Sequence, residues 1–126
     1  MRLVLVFCLT LLSSSVFASV QRTPLYDCAF MGDGSFVEGL TIYQSQQGRR
    51  YFYEVEVRAS VDGEYRETSR EVNLVSTYNG RVQTYGTGNF RVKVNRVYAT
   101  DGKFRAFARL PEYDMHSQDW TCKDAN

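Results

Sequence analysis

Tyr51, Tyr53, Val55, Val57, Ala59 and Val61 alternate with Phe52, Glu54, Glu56, Arg58 and Ser60. Successive side chains on a strand point to opposite faces, so this period of two describes a half-buried β-strand and does not fit one face of a helix. The run stops at Asp62-Gly63, and dipeptides of the same kind return at Asn79-Gly80 and Asp101-Gly102. Asp, Asn and Gly tolerate the positive φ that tight hairpin turns demand. Asp33-Gly34 and Gln47-Gly48 are weaker examples. No segment carries a capped apolar stripe of helical period.

These signals predict about eight strands, near residues 25–30, 36–44, 49–61, 64–75, 81–86, 89–99, 103–110 and 119–123. Connections this short make consecutive strands pair antiparallel as a meander. The expected fold is all-β: a small antiparallel meander closed into a roughly eight-stranded barrel, with a two-sheet β-sandwich as the alternative. Closure is favoured because Cys28 and Cys122 fall in the first and last strands. A disulfide between them joins the two ends of the meander, and closing the sheet removes its exposed edges.

Residues 1–18 read as a signal peptide. Arg2 gives the positive start, LVLVFCLTLL the apolar stretch, and Val16-Phe17-Ala18 a small-residue cleavage site. Ten apolar residues are too few to span a bilayer. Residues 19–126 then form one domain, in a secreted or periplasmic protein. Cys8 leaves with the leader, so the remaining pair is read as a disulfide in an oxidising compartment. Arg2 leaves too, which brings 15 Lys and Arg down to 14, against 14 Asp and Glu. A neutral domain does not bind nucleic acid by bulk charge.

Register arithmetic sharpens the picture. With Asp62-Gly63 as a two-residue loop, Tyr53 faces Val72, Tyr51 faces Leu74 and Arg58 faces Glu67. Arg66, Thr68 and Arg70 share a face with Val55, Val57 and Ala59, so the tip over residues 58–67 is expected to project beyond the body. A three-residue loop at Thr100-Asp101-Gly102 sets Tyr98, Val94 and Val92 against Phe104, Ala108 and Leu110. In that register Arg91, Lys93, Arg105 and Arg109 share the outer face with Phe107, the one cluster of like charge that the pattern places on a single surface.

The search for chemistry is mostly negative. His116 is the only His, and Asp114-Met115-His116-Ser117 reads as an exposed loop, not a triad, which is a spatial arrangement. One His and two bridged Cys cannot build a zinc site, and Asp33-Gly34 lacks the acidic spacing of a calcium loop. Tyr85-Gly86-Thr87-Gly88-Asn89 lacks the Lys of a phosphate loop. Neither a cofactor nor a metal is expected. Glu54 and Glu71, opposite each other on an outer face, leave a small hydrolase as an alternative. An outer-membrane barrel needs apolar outward faces, and most strands here carry charge on one face.

Tyr26-x-Cys28 near the start of such a chain, with a second Cys near its end, resembles the periplasmic lysozyme inhibitors of the membrane-bound or C-type class. That resemblance implies a small eight-stranded barrel. It covers the two ends only. The family's central Ser-Gly loop and its partner Lys have no match, Asn79-Gly80-Arg81 included, so no functional residue is carried over.

The resulting expectation is a binding module without catalysis, of a protein-binding or inhibitor type, using Arg91, Lys93, Arg105, Phe107 and Arg109. The alternative ligand is a carbohydrate or a small anion. Another protein is the expected partner, with no nucleic acid and no membrane span.

Overall fold

The computed structural model describes residues 19–125; the leader reading falls on residues 1–18, outside the described residues. Eight strands follow in order: β1 (Val20–Phe30), β2 (Val37–Gln47), β3 (Arg50–Val61), β4 (Glu64–Tyr78), β5 (Val82–Thr87), β6 (Phe90–Thr100), β7 (Lys103–Leu110) and β8 (Met115–Asp124). Each pairs antiparallel with the next and β8 returns to β1, so the sheet is a closed barrel and not a sandwich. Cys28 and Cys122 are register partners on β1 and β8, bonded at 2.03 Å. Alternate residues point inward, and Leu40, Ile42, Val55, Val57, Val92, Val94, Leu110 and Trp120 fill the interior.

The β3–β4 register is as expected. Asp62 and Gly63 take φ values of 53° and 77° in a two-residue loop, which sets Tyr53 opposite Val72 and Arg58 opposite Glu67. The ladder ends at Tyr53–Val72, however, and Tyr51 does not pair with Leu74. From Asn73 onward β4 bonds to β5 instead. This strand passes from one neighbour to the other, with a bulge between Leu74 and Ser76. The hairpin tip is also better embedded than its sequence implies. β2 accompanies β3 up to the Val37–Ala59 rung, and Val57 and Ala59 are buried. The turn and the β4 side, residues 62–69, are exposed. A 3₁₀ turn, Pro111–Tyr113, closes the space beneath it: Tyr113 donates to Thr68 at 3.2 Å, and Arg70 pairs with Glu112.

Three further expectations are corrected. β1 begins at Val20, because residues 20–24 pair with β2 alone, where Pro24 needs no hydrogen-bond partner on its other side. β8 begins at Met115, so His116 lies on a strand opposite Arg109 and not in a loop. The β6–β7 turn has a two-residue loop with Thr100 opposite Lys103, and the extra residues form a bulge between Asn95 and Thr100. Tyr98 is thereby 87% exposed and does not face Phe104. Arg96 takes that place: its guanidinium lies 4.9 Å from the Phe104 ring and 5.8 Å from Tyr26, held by two hydrogen bonds to Asp124.

Candidate functional site

The outer wall of β6–β8 gathers every residue of the expected basic cluster. Arg91 lies directly opposite Arg109, Lys93 opposite Phe107 and Asn95 opposite Arg105. The structure adds residues that depended on the corrected start of β8. His116 stands beside Arg109, its ring 4.9 Å from Phe107 in an edge-to-face contact. Lys103 at the start of β7 faces Lys123 near the end of β8. Two like-charged cross-strand pairs thus share one wall, an arrangement that disfavours folding by some tenths of a kcal/mol each.

Part of this charge is offset: Asp27 on β1 is the register partner of Lys123, and Asp114 lines the depression beside Arg109. β6 and β7 contain no Asp or Glu, and β8 carries Asp119 and Asp124, the latter paired with Arg96. The ion pairs among the described residues use Arg22, Arg50, Arg58, Arg66, Arg70 and Arg96. Arg91, Lys93, Arg105 and Arg109 are in no ion pair among the described residues, whereas Lys123 has Asp27 opposite it and Lys103 shares a depression with that carboxylate. Phe107, half-buried between Lys93 and His116, supplies an apolar centre. A depression of about 480 Å³ opens there, lined by Lys93, Asn95, Arg105, Phe107 and Gln118. A second, of about 300 Å³, adjoins Arg109 and His116. The arrangement suits an anionic surface with one apolar group, since cations with nothing to neutralise them are free to pair with incoming carboxylates.

The carboxylates of the hydrolase alternative sit on the outer wall across the barrel. Glu54 and Glu71 are register partners, as expected. Each is engaged by an arginine. Arg50 reaches Glu71 at 2.6 Å. Arg22 donates from Nε and Nη2 to the two Glu54 oxygens at 2.9 and 3.4 Å, and the Ser45 hydroxyl donates at 2.7 Å. Burial alone pushes the Glu54 carboxyl up, but the bonds from Arg22 and Ser45 and the Arg22 charge outweigh it and hold it below the usual carboxylate value. A lowered pKa stabilises the fold above the unfolded-state value and ceases to do so as pH falls through the folded-state value. Glu54→Gln is therefore expected to cost about 1–2 kcal/mol at neutral pH, tempered by the half-exposed Arg22, and progressively less in acid. Urea midpoints of both proteins at pH 7 and pH 3 check this: the gap should narrow at the lower pH.

No group of three or more His, Cys, Asp or Glu is placed to hold a metal among the described residues. No described helix is long and apolar enough to cross a membrane. Compared with protein-family models, curated proteins and solved structures, the chain matches none.

Proposed function

We propose that this is a non-enzymatic binding module of an oxidising, extracytoplasmic compartment, and that the β6–β8 wall docks an acidic surface of another protein. The observation that carries the reading is the like-charged Arg91–Arg109 rung, with Lys93 and Arg105 on the same face and none of the four in an ion pair among the described residues. Charges that oppose each other in the free protein become favourable when a partner neutralises them. Phe107 is the apolar anchor at the centre of that wall, with arginines around it as in protein-binding hot spots. The disulfide supports the compartment, being stable where thiols are oxidised.

The test joins binding to stability. The mature protein and its Arg91→Glu/Arg105→Glu/Arg109→Glu variant are used to capture partners from envelope or extracellular extracts at low and raised salt. The expected result is a specific acidic partner that is released by salt and absent with the variant. Arg91→Glu alone should stabilise the fold by about 0.5 kcal/mol, because it turns a repulsive rung with Arg109 into an attractive one, while weakening partner binding. A partner retained by the triple variant would place the interface elsewhere. Hydrolytic turnover abolished by Glu54→Gln would overturn the binding-module reading.

A further inference from the structure

β4 changes neighbours at Val72–Asn73, and this opens the barrel wall in two places. Above the change, the turn at Pro111–Tyr113 fills the gap through Tyr113 and Glu112. Below it, residues 50–52 remain paired with β2 while residues 73–78 follow β5. A cleft of about 330 Å³ lies between the diverging strands, lined by Gln44, Arg50, Tyr51, Tyr53, Asn73 and Leu74 among others.

Its chemistry is specific. Arg50 spans the cleft to Glu71 at 2.6 Å, so the charges at its rim cancel. Arg50 also lies 4.7 Å over the Phe52 ring, which fixes the guanidinium plane. Tyr51 is 66% exposed, presenting an aromatic surface to solvent. The side-chain amides of Gln44 and Asn73 make no hydrogen bond among the described residues, and each holds both donors and an acceptor. A charged ligand gains little from a rim that is already neutral, and a wholly apolar one leaves the amides unpaired. An extended peptide would need a straight strand edge, whereas the two edges here diverge and the free stretch of β3 is three residues long.

We propose that this cleft is a binding site for a neutral saccharide. A sugar ring offers a C–H face for the Tyr51 ring and hydroxyls that both donate and accept. The hydroxyls match the Gln44 and Asn73 amides and the charge-assisted donors and acceptors of Arg50 and Glu71. The site lies on β2–β4, away from the β6–β8 wall, and does not depend on what that wall binds.

The test is a titration of the mature, isotope-labelled protein with cellohexaose, maltohexaose and chitohexaose, and separately with an uncharged Ser-Thr pentapeptide, followed by NMR of the side-chain amides. At least one saccharide is expected to shift the Gln44 and Asn73 resonances saturably in the millimolar range or below. Tyr51→Ala and Asn73→Ala should each weaken that binding about tenfold, equivalent to about 1.4 kcal/mol. Both residues are exposed, so the urea midpoints should stay unchanged. The proposal is overturned if no saccharide shifts these amides, if the pentapeptide alone does, or if the shifts survive both substitutions.

Discussion

Replacing Cys28 and Cys122 together with Ala should lower the free energy of unfolding by about 4–5 kcal/mol, measured by urea denaturation of the oxidised parent and the double variant. The size follows from the 94 positions between the cysteines. The crosslink ties almost the whole folded chain into one loop and removes that loop's closure entropy from the unfolded ensemble. Its location adds to this. Cys28–Cys122 is one of five rungs between β1 and β8, the seam at which the meander closes. Both sulfurs are buried, so substitution also leaves a small cavity. A domain of this length has only about 5–15 kcal/mol to lose, and the variant is expected to be partly unfolded at 37 °C. Non-reducing mass spectrometry of the parent should show the linked peptide pair. A loss under about 1 kcal/mol would mean that the β1–β8 hydrogen bonds suffice for closure.

The strand order, the seam and the basic wall were legible because each rests on periodicity plus a turn. Tyr53 opposite Val72 follows from parity once Asp62-Gly63 is a two-residue loop, and Arg91, Lys93, Arg105 and Arg109 stay on one face whichever even register β6 and β7 adopt. What parity cannot supply is the place where a ladder stops. Asn73 bonds to β5 because the barrel must curve there, a requirement of closure and not of the residue. The β6 bulge is similar: Tyr98 is the more apolar candidate for the position over Phe104, yet Arg96 occupies it because Asp124 neutralises its charge and two rings stack against it. Asp124 is distant in sequence, so no local pattern signals the exchange. The place of His116 on the basic wall has a related cause. The segment Met115–Gln118 has no alternation of its own and becomes a strand by pairing with Leu110, Arg109 and Ala108.

Trp120→Ala should cost about 3–5 kcal/mol, while Trp120→Phe should cost much less. Trp120 is the largest fully buried side chain, 1% exposed, and points inward from β8 opposite Ala106 of β7 and Phe30 of β1. The small Ala106 gives the indole room, and the Phe30 ring packs at 5.3 Å on its other side. Truncation to Ala empties the interior beside the seam, where the disulfide two residues away ties β8 to β1 and limits the collapse that could fill it. Phenylalanine keeps most of the ring and removes one liability, since the buried indole N–H has no hydrogen-bond partner among the described residues. An unpaired buried donor costs about 1–3 kcal/mol, which offsets much of the area lost on going from Trp to Phe. Urea midpoints of the two variants give the comparison directly. Equal losses for Ala and Phe would show that the indole N–H is satisfied in solution and that shape at this position, not volume, holds the seam together.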